Sequence, residues 1–200
     1  KLFNRIKKVE NRKIYILQEG KKKNDSNWDK LNSLIKKNKD NQKIKIKFLK
    51  KNLGCKYGVK AALDWFFKNN SQGIILEDDC LPSNSFFKYC DVLLNRFKNQ
   101  KKIKAISGYN FMNDFKKKYS YSFTKHVEVW GWATWRDVWK EYDVKMSSWK
   151  IKGNKILNQR FPQNIKLKNE YKYKFDLTHK NKIDTWDHQF VYQVWRSNGL

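Results

Sequence analysis

Gly73-Ile74-Ile75-Leu76-Glu77-Asp78-Asp79-Cys80-Leu81-Pro82 is the stretch that decides the fold of this 200-residue chain. Three apolar residues run straight into three consecutive carboxylates, and a proline and a helical pattern follow. A short apolar run bounded by Gly and Pro predicts a fully buried strand of a parallel sheet. Side chains alternate along an extended segment, so Glu77 and Asp79 are expected on one face and Asp78 on the other. Acids at the carboxyl end of such a strand stand where open α/β sheets bind their ligands. Three adjacent negative charges repel, and a divalent cation with oxygen ligands relieves the repulsion. The competing reading is an acidic solvated turn between a strand and a helix.

Upstream, residues 1–10 place Leu2, Phe3, Ile6 and Val9 at helical spacing, and Arg12 to Leu17 alternates as a strand ending at Gln18-Glu19-Gly20. Ser26-Asn-Trp-Asp29 resembles a capping box opening a helix with Trp28, Leu31, Leu34 and Ile35 inward. Lys43 to Phe48 reads as a half-buried strand. Residues 56–68 read as a helix with Val59, Leu63 and Phe66 inward. Downstream of Pro82, Phe86, Phe87, Cys90, Leu93, Leu94 and Phe97 mark a helix, and Lys102 to Ser107 a further strand. Helix and strand therefore alternate four times over residues 1–108, which predicts right-handed crossovers in a mostly parallel sheet with helices on both faces. The chain does not begin with Met, and a complete pattern calls for one further strand before residue 1, so a fragment is expected.

The second half differs in kind. Residues 110–118 read as a polar loop, and Tyr119 to Phe123 as a short strand. Val129-Trp-Gly-Trp-Ala-Thr-Trp-Arg136 is dense in aromatics and runs into a helix through Trp139. Residues 144–183 suit two lysine-rich helices, and Asp184 or Thr185 is placed to cap a last helix carrying Trp186, Phe190 and Trp195. The whole reads as a single domain of a nucleotide-binding half, 1–108, and an acceptor-side half, 109–200.

Lys and Arg number 45 against 19 Asp and Glu, a formal net charge of +26. Such a charge attracts anions: nucleic acid, acidic lipid or phosphorylated substrate. Lys, Asn and Ile are all abundant, as in AT-rich genomes, so much of the charge also reads as drift on solvated faces. Aromatics at 16% with nine Trp argue for a packed core despite the low mean hydropathy. No segment approaches the length of a membrane span, and no signal peptide is visible. Cys55, Cys80 and Cys90 fit neither a disulfide framework nor a zinc site, which suits a reducing cytoplasm. No histidine pair has metal-ligand spacing. Hydrolase triads, Walker loops and Gly-x-Gly-x-x-Gly are absent, which argues against hydrolases, kinases and dehydrogenases.

Asn52-Leu-Gly-Cys55, Ile74 through Pro82 with Phe86-Phe87, and Trp130-Gly-Trp-Ala-Thr-Trp135 together resemble GT-A-fold nucleotide-sugar glycosyltransferases, in particular bacterial family 2-like enzymes. Glu77-Asp-Asp79 before a Phe-Phe-x-Tyr helix, with the later Trp186-Asp187, is also similar to the N-acetylglucosaminyltransferase I family. The likeness spans residues 12–199. It implies that Asp79 is the last acid of a DxD-type motif holding Mn²⁺ or Mg²⁺ on the donor diphosphate. It implies that Glu77 and Asp78 face the ribose and donor sugar, and that Glu19 contacts the base, although Glu-Gly departs there from the commoner Asp-Gly. Lys51, Asn52 and Lys56 fall where related enzymes steer phosphates, and Asp187 where inverting members place a general base. Indole faces stack on sugars, so Trp130, Trp132 and Trp135 are expected to line the acceptor site, core filling being their other reading.

The resemblance thus implies a metal-dependent hexosyl- or N-acetylhexosaminyltransferase of bacterial envelope polysaccharide synthesis. Its donor would be a UDP-sugar and its acceptor a glycan or lipid-linked sugar. It would be cytoplasmic, with peripheral contact at the inner face of the membrane and no nucleic-acid partner. Two alternatives remain open: a sugar-phosphate nucleotidyltransferase, which shares the sheet and the metal carboxylates, and a basic nucleic-acid-binding domain.

Overall fold

The computed structural model describes residues 1–9, 12–23, 25–109 and 120–200. Across the first half, helix and strand alternate as expected. The order is α1 (Leu2–Ile6), β1 (Ile14–Gln18), α2 (Trp28–Lys36), β2 (Ile44–Phe48), α3 (Gly54–Asn69), β3 (Gln72–Ile75), α4 (Asn84–Phe97) and β4 (Ile106–Ser107). The second half contributes β5 (Trp132–Trp135), α5 (Arg136–Lys140), α6 (Trp149–Arg160), α7 (Ile165–His179) and α8 (Asp187–Arg196). The protein is mixed α/β.

The strands do not form the expected single, mostly parallel sheet. β1 and β2 pair in parallel across α2, with Ile14 opposite Ile44 and Gln18 opposite Phe48. β3 belongs to a second sheet of order β3-β5-β4, in which β5 runs antiparallel to both neighbours. The acidic stretch therefore follows a strand whose hydrogen-bonded neighbour is antiparallel. The cause lies in residues 131–135. Gly131 holds φ at +74°, a left-handed conformation that favours glycine. All four residues of β5 are buried, so the aromatic run expected along the acceptor site enters the centre of the sheet instead.

Several local expectations shift for similar reasons. The Ser26–Asp29 capping box is not used: Asp25 accepts from the Asn27 and Trp28 backbone N–H groups at 3.1 and 3.0 Å. Of the apolar residues assigned to the inner face of α2, only Ile35 is buried, whereas Leu31 and Leu34 are exposed. The strand expected from Lys102 is regular only at Ile106–Ser107, and Lys102 and Lys104 hydrogen-bond Leu200 at the other end of the sequence. Residues 110–119 lie outside the described residues, and residues 120–123 form no strand.

α4 buries Phe86, Phe87, Cys90, Leu93 and Leu94, the face its periodicity assigned. On the other side of β5, α8 buries an unbroken run from Gln189 to Trp195. Trp132 joins the two layers: it is 0% exposed, stacks on Trp186 at 5.5 Å between ring centroids and meets Phe190 at 4.6 Å. α6 and α7 form a helical pair that packs on α8, through Trp149, Phe175 and Tyr192. No helix of the described residues is long and apolar enough to cross a membrane.

Because Trp132 bridges sheet and helix, Trp132→Ala is expected to cost about 3–5 kcal/mol of stability, the range for emptying a buried aromatic site. Urea unfolding followed by tryptophan fluorescence measures it. A loss below about 1 kcal/mol would show that β5 is peripheral to the core.

Candidate functional site

β3 stops at Ile75, and the carboxylates that follow form a turn closed by a hydrogen bond from the Cys80 N–H to the Glu77 carbonyl at 3.1 Å. The alternation expected through Glu77, Asp78 and Asp79 therefore does not apply, because the chain is no longer extended there. Glu77 is half-buried, whereas Asp78 and Asp79 are exposed. The Trp186 indole N–H donates to Glu77 Oε2 at 3.4 Å. Burial pushes the Glu77 carboxyl above the usual range, offset in part by that hydrogen bond and reinforced by Asp79, Asp187 and Asp78.

Asp79 lines an open groove of about 550 Å³ together with Leu76, Phe86, Gly108 and Trp130. Its floor is shaped by two glycines. The Gly108 N–H donates to the Gly131 carbonyl at 2.8 Å, and a Cβ on Gly108 would meet the Phe86 ring at 2.3 Å. Of the three tryptophans expected at an acceptor site, Trp130 is 58% exposed and forms one wall of this groove, in edge contact with Tyr109 at 5.2 Å. Trp132 and Trp135, at 0% and 9%, offer no face to a sugar: β5 turns both into the core, and the Trp135 indole N–H bonds the Leu94 carbonyl.

The remaining expected donor contacts gather at the amino end of α3. Glu19 Oε1 accepts from the Leu53 N–H at 2.7 Å, and Oε2 from the Asn52 side chain at 3.2 Å. Asn52 in turn accepts from the Gly54 N–H at 3.1 Å. A Cβ on Gly58 would come within 2.6 Å of Glu19, so the carboxylate lies tight against the first turn. Lys56 is buried, and its ammonium donates to Asn181 Oδ1 at 2.7 Å, while Lys51 is exposed. These groups brace the helix start, which competes with any role in holding phosphate.

Asp184 completes the same helix end. Its carboxylate accepts from the Cys55 and Lys56 N–H groups at 2.9 and 3.0 Å, and Gly54, with φ +76°, leaves room for it. Asp184 thus caps α3, not the last helix as its sequence position suggested. Anions are favoured at helix amino ends, where N–H groups lack intrahelical partners.

Asp187 opens α8 and accepts from the Thr185 hydroxyl and from the His188 N–H. His188 packs inward, with Nδ1 against the Thr178 hydroxyl at 2.8 Å, and burial lowers its basicity while Asp187 opposes the change. Asp187 acts electrostatically on Glu77, on Cys55 at the start of α3, and on Glu128, whose carboxyl burial raises. The acidic turn, the α3 terminus and the α8 terminus thus form one electrostatic neighbourhood. Glu128 had no signal in the sequence beyond its place just before the aromatic run.

Among the described residues, none of Glu19, Glu77, Asp78, Asp79, Glu128, Asp184 or Asp187 forms an ion pair. The acids that do are elsewhere: Asp29, Asp64, Asp91, Asp137, Glu141, Glu170 and Asp176. No three His, Cys, Asp or Glu side chains of the described residues assemble into a cage for a metal ion. A cation here would draw on an exposed carboxylate such as Asp79 and on ligand oxygens. The chain matches no known family model, no curated protein and no solved structure.

Burial and like charge raise the Glu77 carboxyl, so the folded protein holds a proton there more tightly than the unfolded chain. That contribution is fully present below the ordinary value of 4.5 and is lost as pH rises through the raised one. Glu77→Gln removes the cost while keeping an oxygen for Trp186. It is expected to melt higher than the parent at pH 7, with the gap closing as pH falls towards 4.5, read by thermal melts across pH. A variant less stable than the parent at pH 7 would contradict a strained carboxylate.

Proposed function

We propose that this protein is a metal-dependent glycosyltransferase of the GT-A type. It would move a sugar from a nucleotide-sugar, a UDP-sugar in the first instance, to a glycan or lipid-linked acceptor. The observation that carries the reading is the shared groove. Asp79, in the turn that follows β3, and the exposed indole of Trp130 line one open cavity, and Asp187 acts on the same acidic turn from the start of α8.

The division of labour follows from the chemistry of each group. Asp79 lines the groove and its neighbour Asp78 is exposed, so both suit a divalent cation that the donor diphosphate would help to hold. When bound, such a cation would supply Lewis-acid stabilisation for the charge on a departing nucleoside diphosphate. Glu77 has a raised affinity for its proton, so it suits hydrogen bonding to a sugar hydroxyl better than metal ligation. Trp130 offers an indole face for the acceptor ring. Asp187, oriented by Thr185 and by its own helix end, takes the proton of the acceptor hydroxyl as the new glycosidic bond forms. Glu19, Asn52 and Lys56 are positioning groups in this scheme, since their polar atoms hold the start of α3.

Titration calorimetry tests the reading. The protein is expected to bind UDP in the presence of Mn²⁺ or Mg²⁺ and not after chelation. Asp79→Ala should lose that binding, while Asp187→Asn should keep it and lose about 10²–10⁴-fold in sugar transfer. UDP binding that survives both chelation and Asp79→Ala would overturn the proposal.

A further inference from the structure

The three most exposed large apolar side chains among the described residues are Ile151 at 84%, Ile165 at 67% and Tyr173 at 66%. All three lie on the pair formed by α6 and α7. Single exposed apolar residues are ordinary and occur elsewhere in this chain; what sets these three apart is that they share one helical pair with an excess of lysine.

The pair's geometry puts them outward. α6 buries Trp149, Gly153, Ile156 and Leu157, so at 100° per residue Ile151 stands on the opposite side. α7 buries Phe175 and Thr178, which likewise directs Tyr173 away from the core. Since both helices pack on α8, their outer faces form one layer over it.

That layer is strongly basic. Residues 149–180 hold nine Lys and Arg against two acids, Glu170 and Asp176. Both acids are paired, with Lys174 and Lys172. Among the described residues no acid pairs with Lys150, Lys152, Lys155 or Lys166. The first turns of both helices lack acidic residues as well, so the positive ends of their dipoles add to the field.

We propose that the outer face of α6 and α7 docks on an anionic lipid bilayer. Lysine ammonium groups would sit among the phosphate headgroups while Ile151, Ile165 and Tyr173 enter the interface between headgroup and acyl chain. Aliphatic side chains decide for lipid over nucleic acid: isoleucine has no ring to stack on a base, whereas its burial in the interface is favourable. Lysine stems can lie along the same apolar boundary with their charges in water. α7 leads directly into the segment bearing Asn181, Asp184 and Asp187, so docking through α7 fixes one end of that segment. The proposal is independent of the glycosyltransferase reading.

Vesicle flotation with the full chain tests it, using phosphatidylethanolamine vesicles with and without phosphatidylglycerol. Binding is expected only to the anionic vesicles and is expected to weaken with salt. Lys152→Ala with Lys166→Ala should weaken it by about 25-fold, at about fivefold for each lysine near the surface. Ile151→Ser with Tyr173→Ser should weaken it by about tenfold. All four residues are exposed, so far-UV circular dichroism should be unchanged in both variants. Equal binding to neutral vesicles, anionic binding that neither variant affects, or failure to float alongside tight binding of single-stranded nucleic acid would each overturn the proposal.

Discussion

Trp186 is the contact on which the rest of the site depends. Its ring stacks on Trp132 in the middle of β5, its indole N–H reaches Glu77, and its carbonyl accepts from the Tyr142 hydroxyl at 3.0 Å. One residue thus links the antiparallel strand, the acidic turn and the first residue of α8. The geometry is held by apolar packing: Trp132 and Trp186 are both almost wholly inaccessible, and neither can move without opening a void. Fixing Glu77 under an indole leaves Asp78 and Asp79 on the outside of the same turn. The exposed acids and the half-buried one differ because the strand ends at Ile75 and the chain then folds over Trp186.

The start of α3 is the second fixed point. A helix of 16 residues with no acid in its own first turn begins beside two carboxylates from distant parts of the chain. Glu19 comes from the end of β1 and Asp184 from the segment after α7, so one helix terminus ties both halves together. The arrangement also explains why Lys56 is buried. Its backbone N–H is capped by Asp184 while its ammonium holds Asn181, which itself sits at φ 54°. Three polar groups that look like ligand contacts in sequence become the bolts of a joint.

What the sequence disclosed follows a physical line. α4 was legible because it buries one face against a core, so the 3.6-residue period survives in the pattern. α8 was legible from the spacing of Phe190, Val191, Val194 and Trp195, although the helix is buried without a break from Gln189 to Trp195. β5 was not legible: Trp132-Ala-Thr-Trp135 is buried on both faces, so no alternation betrays a strand, and density of tryptophan mimics a binding surface. Of the three tryptophans named together only Trp130 is exposed, a difference the sequence cannot express, since its neighbours two and five positions away are core. Asp184 shows the limit of local reasoning. Its position before α8 suggests a cap there, yet its partners lie 128 and 129 residues away. The acidic triplet reads in sequence as the carboxyl end of a fully buried parallel strand, yet it forms the turn of the competing reading. The cause is that β3 runs antiparallel to β5, is only partly buried, and ends before Leu76.

The distribution of charge gives the site its character. The chain carries 45 Lys and Arg against 19 Asp and Glu, so cations outnumber carboxylates more than two to one. Among the described residues seven acids pair with one, and none of the seven belongs to the acidic turn or to the starts of α3 and α8. Around Glu77 the pattern inverts: the charges that act on it are Asp79, Asp187 and Asp78, all of the same sign. Like charges gathered without a counter-charge cost stability that a lysine substitution would relieve, and this protein is rich in lysine. Among the described residues no lysine pairs with these carboxylates, so a negative site persists in a positive molecule. By elementary electrostatics such a site attracts cations, while the rest of the chain attracts anions.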